Sequence, residues 1–94
     1  MNNEPIGSYV LTPHARFEME RRGLSEELIG EVLQAPEQRR ELRPGRHLLQ
    51  SRISMGEPEK VYVVRVIVDV DRNPNEVVTA YRTSKIDKYW RQEP

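Results

Sequence analysis

The sequence predicts an α+β domain in which two N-terminal helices pack on a four-stranded antiparallel sheet and a short C-terminal helix follows. The apolar residues recur with a period of roughly 3.6 as far as Pro36 and with a period of about 2 after it. Turn signals at Pro44-Gly45 and Asn73-Pro74-Asn75 divide the second part into strands. The 94 residues suffice for a single domain, 1–94, with an expected ordered core over residues 9–90.

Capping residues mark the boundaries of both predicted N-terminal helices. Thr12 is a typical N-cap and Pro13 suits the first helical position, so the first helix begins there and runs to about Arg22. Gly23 then ends it, because glycine readily adopts the left-handed conformation that follows many helices. Ser25 is the predicted N-cap of the second helix.

Four strands are predicted, at Gln38–Arg43, His47–Met55, Val61–Val70 and Val77–Thr83. Val61–Val70 is apolar on both faces, which is typical of a strand at the centre of a sheet. Arg65 interrupts its second face, and a buried arginine needs an anionic partner, for which Asp69 and a substrate phosphate are the alternatives. Beyond the last strand, Ser84–Trp90 is predicted as a short helix, with Ser84 and Asp87 as a capping-box-like pair.

Composition excludes several classes of protein and site. The sequence has no cysteine, which rules out disulfides and cysteine-based zinc sites and fits a reducing compartment. It has no Gly-rich phosphate loop, no paired metal-binding histidines and no serine nucleophile elbow. No signal peptide or membrane span is recognisable, so we expect a cytoplasmic protein without a membrane partner, a metal or another cofactor.

Positive charge is concentrated in one stretch although the formal net charge is zero. Between Gln38 and Arg52 there is one acidic residue, Glu41, and five arginines: Arg39, Arg40, Arg43, Arg46 and Arg52. The planar guanidinium group suits phosphate better than the ammonium group of lysine does. The stretch is therefore either a solvated strand surface or a binding surface for an anionic partner.

Two further groups of residues are candidates for a functional site. His14 lies in the first turn of the first helix, and Arg21 or Arg22 can point toward the same groove two turns later. An imidazole at that position suits a general base or an anion contact, although it is equally consistent with a surface histidine. On the last strand Thr79, Tyr81 and Thr83 share one face beside Lys85, which forms either a phosphate contact or an exposed polar face.

Two runs of residues resemble a family of small bacterial and phage domains of unknown function: His14-Ala15-Arg16-Phe17-Glu18-Met19-Glu20-Arg21-Arg22-Gly23-Leu24-Ser25, and Val77-Val78-Thr79-Ala80-Tyr81-Arg82-Thr83-Ser84-Lys85. That family is similar to the BrnT and RelE/ParE toxins and to the barnase- and colicin-D-like ribonucleases. The resemblance covers about residues 11–90 and implies helices packed on an antiparallel sheet. It also implies RNA cleavage without a metal, by attack of the ribose 2′-OH on the adjacent phosphate.

Carried onto this sequence, the resemblance implies a catalytic set of His14, Arg22, Thr79, Tyr81 and Lys85. Substrate-binding residues would be Arg39, Arg40, Arg43, Arg46, Arg65 and Arg82. The expected partners are RNA and an antitoxin protein, and no cofactor is expected. The alternative is a non-catalytic module of the same fold that binds a protein or a nucleic acid.

Overall fold

A computed structural model describes residues 3–91 as a five-stranded mixed sheet with two helices on one face and a short helix on the other. The elements in chain order are β1 (Tyr9–Leu11), α1 (Pro13–Arg22), α2 (Glu26–Gln34), β2 (Gln38–Arg43), β3 (Arg46–Met55), β4 (Lys60–Asp69), β5 (Asn75–Thr83) and α3 (Ile86–Tyr89). The outermost parts of the predicted domain, residues 1–2 and 92–94, lie outside the described residues.

The predicted helix caps are confirmed. The Thr12 side chain accepts a hydrogen bond from the Ala15 amide, and Gly23 ends α1 with φ at 68°. The Ser25 side chain accepts from the Leu28 amide in the same way at the start of α2. These local contacts satisfy amide groups that have no partner within the helix, so the caps fix both helix starts.

The prediction of four antiparallel strands is wrong, because a fifth strand runs parallel to its neighbour. The sheet order is β1-β5-β4-β3-β2, and β1 pairs in parallel with β5 through Tyr9↔Asn75 to Leu11↔Val77. The remaining pairs are antiparallel, and β4 lies at the centre as predicted. Three residues are too few for a period of 2 to be recognised, so β1 has no clear signal in the sequence.

The main core lies between the sheet and the two N-terminal helices. Its buried members from the sheet are Leu49, Val64, Val66, Val68, Val77 and Ala80, and those from α1 and α2 include Ala15, Met19, Ile29, Val32 and Leu33. Ile6 also packs there, and its amide donates to the Leu33 carbonyl at 2.8 Å. Because side chains alternate along a strand, the residues between these positions point to the opposite face of the sheet.

The C-terminal helix is shorter than predicted and is capped differently. It spans Ile86–Tyr89, its N-cap is Lys85, and no side chain caps it. The Thr83 hydroxyl instead accepts a hydrogen bond from the Lys85 amide at 3.1 Å. The predicted pairing of Ser84 with Asp87 is therefore wrong, because the helix begins two residues after Ser84.

Candidate functional site

Helix α1 lies along the edge of β5 that β1 leaves uncovered. The pairing of β1 with β5 ends at Leu11↔Val77. Immediately beyond it, the Thr12 amide donates to the Val77 carbonyl at 3.2 Å, and the Thr12 hydroxyl donates to the Val78 carbonyl at 3.4 Å. At the other end of the helix, Arg22 Nη1 donates to the Ala80 carbonyl at 2.8 Å. The first and last turns of α1 thus replace a neighbouring strand and fix Arg22 at this edge.

Glu18 holds two arginines at the end of α1. Its Oε2 atom lies 2.7 Å from Nη2 of Arg21 and 2.8 Å from Nη2 of Arg22. The hydrogen bond from Arg21 lowers the pKa of Glu18, and the charges of Arg22 and His14 lower it further. A carboxylate held ionised by these cations is a poor proton acceptor, so its role in the site is to orient the guanidinium groups.

Tyr81 connects Arg22 with Arg65. The Arg22 Cζ atom lies 5.8 Å from the centroid of the Tyr81 ring, and the Arg65 Cζ atom lies 5.6 Å from it. Both distances are within the range of cation–π attraction. Glu18 pairs with Arg21 and Arg22, while Arg65 is linked to Arg22 only through the Tyr81 ring. We refer to Glu18, Arg21, Arg22, Arg65 and Tyr81 as the edge cluster, and its excess of positive charge favours an anionic ligand.

The expectation that Asp69 pairs with Arg65 is wrong. Asp69 instead accepts two hydrogen bonds from Arg46, at 2.7 and 3.1 Å, from the position directly opposite on β3. Four residues along a strand correspond to about 13 Å, which is too far for the first pairing. Arg65 is 6% exposed, and within residues 3–91 no carboxylate forms an ion pair with it.

The other predicted catalytic residues form no side-chain hydrogen bond or ion pair with the edge cluster within residues 3–91. His14 is exposed and precedes Glu18 by one helical turn, so the two share a face of α1. Thr79 is half-buried on the same face of β5 as Tyr81, and Lys85 is exposed just after that strand. The structure therefore brings together Arg22 and Tyr81 and does not join His14, Thr79 or Lys85 to them.

The predicted arginine surface does not lie on one face, because its members alternate along β2 and β3. Arg39 donates to Nδ1 of His47 at 3.0 Å and to the Glu4 carbonyl at 3.0 Å. Arg46 is paired with Asp69. These contacts bind the side chains of Arg39 and Arg46 to other groups of the protein. Arg40 and Arg43, by contrast, are exposed.

Arg82 lies apart from the β2–β3 arginines. Its Cζ atom is 4.8 Å from the centroid of the Tyr62 ring, and its Nη1 atom donates to the Met55 sulfur at 3.7 Å. Because Arg82 pairs across strands with Val64, which faces the helices, it points away from the face that carries Tyr81 and Arg65. Arg82 is therefore not part of the edge cluster.

Sequence reasoning missed Glu18, although its spacing is informative. Glu18 follows His14 by four residues and precedes Arg22 by four, so the three lie on one stripe of α1. A spacing of four residues in the sequence is therefore sufficient to assign His14, Glu18 and Arg22 to one site. It also missed Gln38 and Gln50, whose side chains meet through strand pairing, and Tyr89, whose backbone carbonyl accepts a hydrogen bond from Gln50 where the C-terminal segment returns to the sheet.

In the part of the chain that the structure describes, no group of three or more histidine and carboxylate side chains is placed to hold a metal ion. Across the same residues, no helix combines the length and the apolar character needed to cross a membrane.

Comparison with known proteins found one match. A family model described as a domain of unknown function, DUF4258, matches residues 11–82, which include the last residue of β1, both N-terminal helices, the strands β2 to β4, and β5 as far as Arg82. Neither the curated proteins nor the solved structures contain a significant match to this chain. The matched segment includes every residue of the edge cluster.

Proposed function

The chain belongs to the DUF4258 family, and we propose that it is an endoribonuclease of the toxin type that cleaves RNA without a metal at the α1–β5 edge. The observation that supports this proposal is the placement of Arg22. It comes from the end of a helix, is fixed by Glu18 and the Ala80 carbonyl, and lies 5.8 Å from the Tyr81 ring. A preoriented guanidinium group beside an aromatic ring suits a phosphate next to an unstacked base.

The proposed reaction is an intramolecular transesterification. The ribose 2′-oxygen attacks the adjacent phosphorus, the new O2′–P bond forms and the P–O5′ bond breaks. His14 takes the proton of the 2′-OH as general base, and its imidazolium form, or a water molecule, returns a proton to the departing O5′. The products are a 2′,3′-cyclic phosphate and a 5′-hydroxyl.

The remaining residues stabilise and orient the phosphate in this proposal. Arg22 neutralises the negative charge that develops on the non-bridging oxygens, and Lys85 adds a second cation at the end of β5. Thr79 and Tyr81 orient the RNA through their hydroxyl groups and the tyrosine ring. The exposed Arg40 and Arg43 contact the RNA backbone further along the sheet.

One observation favours a second candidate, a binding module without catalysis. The groups that hold Arg22 are protein atoms, and His14 is exposed on the helix without contact to Tyr81 within residues 3–91. If the imidazole does not reach the 2′-OH, the same cationic edge binds RNA or the acidic surface of a protein such as an antitoxin.

Cleavage of a labelled single-stranded RNA of mixed sequence in excess EDTA tests the proposal. We expect EDTA-resistant cleavage with 2′,3′-cyclic phosphate ends, and a fall of roughly a hundredfold or more in His14→Ala, as for loss of a general base. Glu20→Ala is the matched control, because Glu20 is also exposed on α1 and lies outside the edge cluster. Activity equal to wild type is expected for it.

Each other result has a defined meaning. Cleavage that persists in His14→Ala overturns the role of His14, and cleavage of a fully 2′-deoxy strand overturns the transesterification. Saturable binding of RNA without any cleavage by the wild-type protein supports the binding module instead.

A further inference from the structure

Four polar side chains form a row across the face of the sheet opposite α1 and α2. Gln38 pairs with Gln50, Gln50 with Arg65, and Arg65 with Tyr81, so the row crosses β2, β3, β4 and β5 in register. We call these four residues the polar row. Gln38, Gln50 and Arg65 are 4%, 1% and 6% exposed. Burial of polar groups to this extent is costly unless each finds hydrogen-bonding partners.

The partners of the polar row come mainly from the backbone of the C-terminal segment, residues 86–91, which we call the strap. Gln38 donates to the Arg91 carbonyl at 2.7 Å and accepts from the Arg91 amide at 3.2 Å. Gln50 and Arg65 both donate to the Tyr89 carbonyl, each at 3.2 Å. The strap therefore covers the row with neutral backbone groups.

The strap leaves the polar row incompletely satisfied. Arg65 Nε and Gln50 Oε1 are buried and have no hydrogen-bonding partner within the described residues. Arg65 is permanently charged, yet its ligands are one carbonyl oxygen and the rings of Tyr81 and Tyr89, with centroids 5.6 and 4.6 Å from its Cζ atom. A buried guanidinium group without a carboxylate partner binds an anion more strongly than it binds a neutral carbonyl group.

The strap itself is held by few contacts. Its helix is four residues long, has no side-chain cap, and none of its residues is buried. Besides the contact of Tyr89 with Arg65, it has one further aromatic contact on the sheet within the described residues: the ring centroid of Trp90 lies 4.3 Å from the Cζ atom of Arg52, and that arginine is half-exposed. A segment held in this way opens at a small cost in free energy compared with the core.

We infer that the strap is an autoinhibitory cover, and that its release extends the RNA site from the α1–β5 edge across the polar row. Arg65 then binds a phosphate of single-stranded RNA, while Gln38 and Gln50 present amide groups to the neighbouring nucleotide. The shared Tyr81 ring makes this surface continuous with Arg22. The inference rests on the proposed function for its ligand class, but it concerns binding and not cleavage.

Trp90 provides a direct probe of strap release, because it is the only tryptophan in the sequence. The full chain is titrated with a 2′-O-methyl oligonucleotide, which cannot be cleaved, while binding is followed by anisotropy of the labelled strand and strap position by Trp90 emission. We expect both signals to change together, with a red shift as Trp90 leaves Arg52. Binding without any change in Trp90 emission overturns the inference and leaves the proposed function standing.

Two variants assign the effect to Arg65 and to the strap. Arg65→Gln is expected to weaken binding at least about tenfold, because a charged ligand loses its guanidinium partner. Arg72→Gln is the matched control, since it removes one exposed arginine in the β4–β5 loop. Trp90→Ala is expected to tighten binding about two- to fivefold by raising the population of the open form.

The combination of the variants makes the inference falsifiable even if Arg65→Gln folds poorly. The gain from Trp90→Ala should disappear when it is combined with Arg65→Lys, which keeps the charge but loses the planar fork. Weaker binding in Trp90→Ala overturns the inference, because it would make the strap part of the binding surface. If Trp90→Ala binds RNA more tightly but neither the wild-type protein nor any variant cleaves it, the proposed ribonuclease function is overturned, whereas the inference that the strap covers the binding surface stands.

Discussion

The two faces of the sheet are covered in different ways. Under α1 and α2 most of the buried strand side chains are apolar, and they pack against Met19, Ile29, Val32 and Leu33 with almost no exposed surface. The opposite face carries the polar row, and backbone atoms of the strap satisfy it only in part. The helix-covered face has the character of a folding core. The face under the strap instead buries polar groups, which lowers the stability of the fold and is not required for folding.

The largest expected change in stability comes from a substitution on the helix-covered face, and it tests whether packing on that face contributes most of the free energy of unfolding. Leu33→Ala should lower the free energy of unfolding by about 3 kcal/mol, because it removes a fully buried side chain and leaves a cavity. Urea denaturation measures the change. Leu42→Ala is the control, since Leu42 is 41% exposed, and a change within about 0.5 kcal/mol is expected there. Equal losses in both variants would contradict the comparison.

A smaller effect of opposite sign is expected on the other face. Arg65→Met should raise the free energy of unfolding by about 1 kcal/mol, because an apolar side chain of similar length removes a buried charge without a carboxylate partner. The same denaturation experiment measures it. A loss of stability of the size found for Leu33→Ala would mean that Arg65 is a structural residue and that the polar row serves the fold.

The smallest expected change in stability is its dependence on pH, which differs between the two faces because each carries a different titratable group. Burial, and next the charge of Arg39, lowers the pKa of His47, which lies on the helix-covered face, while Glu41 raises it. The folded state therefore disfavours protonation, so stability is complete above the ordinary histidine pKa of 6.5 and falls as the pH drops from there to the lowered value in the folded state. Thermal unfolding between pH 7.5 and 5 should show this slope, and His47→Gln should abolish it.

Glu37, which pairs with Arg52, titrates at lower pH than His47 does. Its hydrogen bond from Arg52 lowers its pKa, with a further contribution from the charge of Arg52. Its contribution to stability is complete above the ordinary value of 4.5 and is lost as the pH falls through the lowered value. A slope above pH 5 that persisted in His47→Gln would point to a group other than these two.

The sequence predicted the individual elements better than the site. Both helix caps and β2 agree with the structure because their signals lie within three or four residues, as in the contact of Thr12 with Ala15. Arg22 and Tyr81 were both candidates, and the structure places the Cζ atom of Arg22 5.8 Å from the centroid of the Tyr81 ring. Of the two alternatives for the partner of Arg65, Asp69 is excluded, because strand pairing and not sequence proximity determines which charges meet.

By itself the sequence determined where helices and strands form and which side chains share a face, because caps, turns and periodicity act over short stretches of chain. Only the tertiary structure decided that β1 joins β5, that Arg22 reaches Ala80 58 residues away, and that Arg91 returns to Gln38 across 53 residues. Such contacts depend on how the whole sheet and its helices pack. No local pattern of residues encodes them, because each is stabilised only when many others have already formed.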